Sequence, residues 1–88
     1  MQKTHKCSIT GEPYEGFGNN AYPFKGRCSD KANFLYVIPA RANGWTPETV
    51  KELGGNKKAA ADIDERLGKE GRLKEWEHHK AVLESLAS

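Results

Sequence analysis

The sequence predicts an α+β fold: a small Gly/Pro-rich β-hairpin or degenerate zinc knuckle, followed by three to four helices. Three observations carry this expectation. Residues 5–28 are punctuated by Gly11, Pro13, Gly16, Gly18, Pro23 and Gly26, which suits turns and short strands better than helix. Thr46-Pro47-Glu48 is a helix start, with Thr as cap, Pro at the first helical position and an acid in the first turn. Leu73, Trp76, Leu83 and Leu86 form a stripe near a 3–4 spacing in the last stretch, with Lys80 breaking the pattern.

The elements are taken in chain order. The segments around Lys6–Ile9 and Pro13–Phe17 are expected to pair across Thr10-Gly11-Glu12, with Tyr14, Phe17, Tyr22 and Phe24 supplying aromatic bulk. Two strands alone are marginal, so this part must pack on a helix. The first helix is expected near Ser29, since Ser29 or Asp30 suits the cap and Asp30 suits the helix dipole. Phe34, Val37, Ile38 and Arg41 then share one mainly apolar face, and Pro39 kinks the helix by removing one backbone donor. The same run, Phe-Leu-Tyr-Val-Ile, also has strand propensity. Asn43-Gly44 is a stop signal. A short helix from Thr46 ends at Gly54-Gly55. Another runs from about Asn56, its expected cap, to Leu67, and Gly68 and Gly71 interrupt the helical pattern beyond it. The last, from about Arg72 to Leu86, is the strongest helix in the chain.

The chain has 88 residues, which suits one domain, here an N-terminal module over 1–45 and a helical part over 46–88. A core this small supplies only a few kcal/mol of net stability, of order ~3–5. Hydrophobic residues are 36% and charged residues 30%, which fits a soluble folded domain. The formal net charge of +2 does not by itself argue for nucleic-acid binding. Residues 1–45 hold six basic and three acidic residues, whereas residues 46–88 hold eight basic and nine acidic, so the basic excess lies in the Cys- and aromatic-rich half. No segment approaches the ~18 apolar residues of a membrane span, and the start lacks the apolar region of a secretion signal. The sequence therefore reads as cytoplasmic, with Cys7 and Cys28 reduced and no membrane partner.

The residues that carry chemistry exclude more than they assign. Cys7 and Cys28 stand 21 positions apart, and neither has a Cys two or three residues on. Thr10 and Ser29 or Ala32 occupy the partner positions, so a four-ligand zinc site is not expected; His5 and Asp30 are the nearest other donors. Two buried, packed thiols are the simpler reading. Nothing in the spacing specifies a Cys–His nucleophile, and no phosphate loop, dinucleotide fingerprint or zinc-protease motif is present. An enzyme is therefore not expected, nor a cofactor.

The strings Cys7-Ser-Ile-Thr-Gly11, Gly18-Asn-Asn-Ala-Tyr-Pro23, Gly26-Arg-Cys28-Ser-Asp-Lys-Ala32-Asn33 and Val37-Ile-Pro-Ala-Arg41 resemble a group of small bacteriophage-encoded, Cys-rich proteins. In that group the pattern reads roughly C-x-x-C-G, N-N-A-x-P, G-x-C-C-x-x-C-N and V-I-x-A-R, and the cysteines look like zinc ligands. The likeness covers about residues 7–42. Here Thr10, Ser29 and Ala32 stand at three of the cysteine positions. The resemblance thus implies a degenerate zinc-ribbon-like module with no metal.

Two binding readings are open. In the first, the chain is a non-catalytic inhibitor of a bacterial host or defence protein, anti-CRISPR activity being one specific form. Trp45, on its turn, and Trp76, on the last helix, are the candidate anchors; the same helix also suits a homodimer seam. In the second, Lys25, Arg27, Lys31 and Arg41 lie among Tyr22, Phe24, Tyr36 and Trp45 to make a basic, aromatic nucleic-acid surface.

Overall fold

A computed structural model of the chain describes residues 4–87. Two small antiparallel hairpins lead into a helical part. The first pairs β1 (Thr4–Lys6) with β2 (Pro13–Glu15), in the register Thr4 to Glu15, His5 to Tyr14 and Lys6 to Pro13. The second pairs β3 (Asn19–Asn20) with β4 (Arg27–Cys28).

The first hairpin begins and ends earlier than its sequence pattern suggests. Residues 7–12 are its connection rather than its strands. Cys7 N–H donates to the Glu12 carbonyl at 2.8 Å and Gly11 N–H to the Cys7 carbonyl at 2.9 Å. This tight fold-back drives both Cys7 and Ile9 into the core. The second hairpin lies in the stretch whose Gly, Pro and Asn density suits turns and short strands. The glycine that precedes it is required: a Cβ on Gly18 would come within 2.5 Å of the Tyr14 ring and 2.9 Å of the Cys28 carbonyl. Of the four aromatic residues expected in this core, Phe24 is buried and Tyr14 packs against it, but Phe17 and Tyr22 are exposed, Phe17 by 91%.

The first helical rod is continuous over residues 30–42. It consists of α1 (Asp30–Ala32), a π-helical turn (Asn33–Val37) and α2 (Ile38–Ala42). Ser29 caps it by accepting from Ala32 N–H at 3.2 Å. The π turn sits where Pro39 dictates. A proline lacks the N–H that the carbonyl four residues earlier would receive, and its ring crowds that carbonyl. The wider turn, closed by Ile38 N–H onto the Asn33 carbonyl, absorbs the crowding without breaking the rod. It also rotates the buried face. Leu35, Tyr36, Val37 and Ala40 point inward, while Ile38 and Arg41, expected on the apolar face, are exposed.

Three helices complete the chain: α3 (Pro47–Glu52), α4 (Asn56–Leu67) and α5 (Lys69–Ala87). Thr46 and Thr49 cap α3 reciprocally, as the Thr-Pro-Glu start suggests. At α4 the cap is Gly55, at φ 105°, rather than Asn56. The Asn56 side chain is engaged elsewhere: its Nδ2 donates to the Ser8 carbonyl at 2.9 Å and the Lys25 carbonyl at 3.0 Å, and its Oδ1 accepts Lys25 N–H at 3.0 Å. One amide thus ties both hairpin loops to the helical part. Gly68 separates α4 from α5, and Gly71 lies inside α5 rather than interrupting it, so α5 starts three residues before Arg72.

The core runs from Cys7, Ile9, Phe24 and Cys28 through the first rod to Val50, Ala59, Ala60 and Ile63. No helix among the described residues is long and apolar enough to cross a membrane. The Asn56 tether has a discriminating test. Asn56→Asp keeps the acceptor and adds a charge that a helix N-terminus favours by about 0.3–1 kcal/mol. It removes both donors to the loop carbonyls, however, and faces them with a negative oxygen. Urea denaturation should therefore show Asn56→Asp and Asn56→Ala both destabilised, by about 1–2 kcal/mol. A stabilised Asn56→Asp variant would restore the capping role and sink the tether.

Candidate functional site

The site begins with the carbonyl that Pro39 leaves without its ordinary helical donor. Arg72, near the start of α5, donates Nη2 to the Leu35 carbonyl. Its Nη1 lies 3.2 Å from Asp64 Oδ1 on α4, and its guanidinium carbon is 5.4 Å from the centre of the Tyr36 ring. Tyr36 OH donates to the other Asp64 oxygen at 3.0 Å. Three helical elements therefore meet at one half-buried cation. Burial, followed by the hydrogen bond to Asp64 and the charge on that carboxylate, pushes Tyr36 up to about 12. The phenol is a locked donor at neutral pH.

Arg72 fixes where α5 crosses the first rod, and this crossing builds the apolar face. Phe34, on the π turn, lies 5.6 Å from Trp76 and stacks on His79 at 5.0 Å, centre to centre. Trp76 and His79 are themselves 6.0 Å apart. Asp30, Asn33, Ile38 and Leu83 complete a shallow cleft of about 250 Å³ around these rings. Leu83 and Leu86 continue the stripe along α5, and Leu86 is 79% exposed. All 19 residues of α5 retain some exposure, none reaching the core's burial. Leu73 and Trp76 pack against the core, and His79 stacks on Phe34, while Leu86 carries the stripe outward.

This arrangement completes the expected stripe and corrects it. His79 fills the gap between Trp76 and Leu83, at the place where Lys80 breaks the apolar pattern. The spacing 76, 79, 83, 86 is an unbroken helical face, and it becomes visible once imidazole is read as an aromatic ring. Phe34 and Ile38 were legible as apolar but not as surface residues. Tyr36 was read as part of a nucleic-acid surface, and nothing in the sequence joined it to Arg72 and Asp64, since a carbonyl orphaned by proline does not say which cation will reach it.

The two anchor candidates part company. Trp76 lies at the centre of the apolar face. Trp45 is half-buried and packs its ring 6.3 Å from Phe24, so it serves the core. The four basic candidates do not converge on one surface. Arg27 donates Nε to the Phe17 carbonyl at 2.6 Å and Nη2 to the Gly18 carbonyl at 3.1 Å. Arg41 donates to the Tyr22 carbonyl at 2.9 Å and the Asn20 carbonyl at 3.2 Å. Both arginines are clamps on the second hairpin. Lys25 lies beside Asn56, and Lys31 lines a different cleft with Lys57 and Lys69. Of the aromatics expected among them, Phe24 and Tyr36 are buried and only Tyr22 is well exposed.

Cys7 and Cys28 are both free and both buried. Burial acts to raise Cys7, but donors from the Thr10 side chain and from the Thr10, Ser29 and Ile9 backbones outweigh it and hold the thiol below its ordinary range. Burial, then the neighbouring Cys7, push Cys28 up to about 11. Within the fold-back, Thr10 N–H lies 3.5 Å from the Cys7 sulfur. Among the described residues no three His, Cys, Asp or Glu side chains converge. His5 lies against Tyr14 at 5.7 Å, on the exposed first hairpin.

Comparison of the chain with protein-family models, with curated proteins and with solved structures finds no match.

The Tyr36–Asp64 bond predicts a pH signature. The Tyr36 pKa is raised above its ordinary value of 10, so its stabilisation is fully present below pH 10 and is lost as pH climbs through 12. Tyr36→Phe should lose about 1 kcal/mol at neutral pH. Its melting temperature should then fall less steeply than that of the parent between pH 10 and 12. Parallel profiles across that window would contradict the assignment.

Proposed function

We propose that this chain is a non-catalytic macromolecule-binding protein that engages a protein partner through the α5 face. The observation that carries this reading is a 19-residue helix whose apolar stripe continues past the body it packs on. The face has the composition that protein interfaces favour. Phe34, Trp76 and His79 provide a ring-lined pocket, and Leu83 and Leu86 extend it. Glu77, Lys80 and Glu84 supply a polar rim of both signs. Aromatic anchors in a pocket of this kind carry most of the energy in a typical interface.

The partner class rests on the resemblance in residues 7–42 to small phage-encoded proteins. That resemblance points to a bacterial host or defence protein in the cytoplasm, blocked by occlusion of one of its surfaces. Inhibition of a CRISPR effector is one form such an activity takes. A second copy of the chain competes for the same face, and sedimentation of the free protein separates a dimer from a free docking surface.

One observation favours a second reading, a nucleic-acid accessory role for the N-terminal half. Phe17 and Tyr22 are exposed on loops that Arg27 and Arg41 hold in place, so two rings and two guanidinium groups share the second hairpin. Against it, both guanidinium groups already donate to carbonyls.

Affinity capture from bacterial lysate, with and without nuclease, tests the two readings together. The wild-type chain should retain a nuclease-resistant protein partner. Leu83→Glu combined with Leu86→Glu should weaken it at least tenfold, with the fold intact because both residues are exposed. Undiminished capture by the double variant would remove the α5 face from the interaction. Recovery of only nuclease-sensitive material, lost steeply with salt, would favour the second reading.

A further inference from the structure

A cleft of about 390 Å³ lies between the fold-back of the first hairpin, the first rod, α4 and α5. It is separate from the ring-lined pocket and independent of the partner reading above. Its floor is apolar: Ile9, Leu35 and Ala60 are buried, and Leu73 packs against them. Its lining also carries three lysines from three helices, Lys31 on α1, Lys57 in the first turn of α4 and Lys69 at the start of α5. Thr10 and the carboxylates of Glu12 and Asp64 complete the polar part.

The charges around this cleft do not cancel. Asp64 is taken up by Arg72 at 3.2 Å and by Tyr36 OH at 3.0 Å. Among the described residues the ion pairs are Arg66 with Asp62 and Arg72 with Asp64, so none of the three lysines has a carboxylate partner there. Three ammonium groups less the Glu12 carboxylate leave a charge of +2 around one cleft.

We propose that this cleft binds a small organic molecule carrying a phosphate monoester. Its apolar body covers the floor, and its phosphate answers the charge of Lys31, Lys57 and Lys69. The match is one of charge. A phosphate monoester brings about −2 at neutral pH, equal and opposite to the excess on the lining. A monocarboxylate brings half that charge. The volume falls within the range of small-molecule sites, roughly 300–1,000 Å³, and the floor gives an apolar body somewhere to go.

The test is a titration of the full chain at neutral pH, followed by backbone amide NMR. The probes are phenyl phosphate, benzoate and inorganic phosphate. Phenyl phosphate should shift the amides of Leu35, Ala60, Ala61 and Leu73 saturably, with a dissociation constant below about 10 mM. Benzoate and inorganic phosphate should each bind at least about tenfold more weakly, one lacking charge and the other the apolar body. Lys31→Gln, Lys57→Gln and Lys69→Gln together should lower phenyl phosphate affinity by at least about tenfold while leaving the amide spectrum of the fold in place. Absence of a saturable shift, shifts centred instead on Lys25 or Lys51, or unchanged affinity in the triple variant would overturn the proposal. Inorganic phosphate binding as tightly as phenyl phosphate would overturn the organic ligand.

Discussion

Pro39 withholds one hydrogen-bond donor from the first helical rod, and the guanidinium of Arg72 supplies another from α5. Much of the architecture depends on that exchange. Arg72 also neutralises Asp64, which in turn holds Tyr36, so a single side chain links the first rod, α4 and α5. A cation in this position is costly to strand, since removing one member of a half-buried pair leaves the other short of a partner. The arrangement fixes the angle at which α5 leaves the body. That angle lays Trp76 and His79 across Phe34 and sends Leu83 and Leu86 outward. The candidate interface is thus a by-product of how the backbone is satisfied several residues away.

The N-terminal half solves a different problem. Its two hairpin loops have to be joined to each other and to the helical part. Here the work falls to ordinary groups. Asn56 reaches from α4 to the backbone of both loops, and Arg27 and Arg41 clamp the carbonyls of the second hairpin. Cys7 and Cys28 remain as small buried groups, and the N–H donors around Cys7 favour its thiolate over that of Cys28. This half commits Arg27 and Arg41 to its own carbonyls, and its basic excess is correspondingly less available to an external anion. Lys31 escapes this use. It joins two lysines of the helical part, which explains why a charge count by halves did not reveal the cleft they line.

The α+β class and the helix starts at Ser29 and Thr46 were readable because caps and proline positions are local signals. The length of α5 was readable in part: its stripe was plain, but Gly71 suggested a break that helical context overrides at a cost of only about 1 kcal/mol. The hairpin register was not readable, because residues 7–11 turn back to bury Cys7 and Ile9 instead of extending. Nor was the buried face of the first rod, since a π turn shifts every following side chain around the axis. Asn56 illustrates the same limit. It stands where caps stand, yet its partners, Ser8 and Lys25, are distant in sequence. Residues whose role is set by neighbours close in sequence were legible, and those whose role is set by tertiary partners were not.

The central claim is that Arg72 completes the helix that Pro39 leaves open. A double-mutant cycle between these two residues tests it most directly, read by urea denaturation. Arg72→Met alone should cost about 2–4 kcal/mol, because both Asp64 and the Leu35 carbonyl lose a donor. In a Pro39→Ala background the restored N–H gives that carbonyl a local partner, so Arg72→Met should cost about 1 kcal/mol less. A coupling of that sign and size would establish the exchange. Costs that add without coupling, within about 0.3 kcal/mol, would show that Arg72 serves Asp64 alone and that the placement of α5 has another origin.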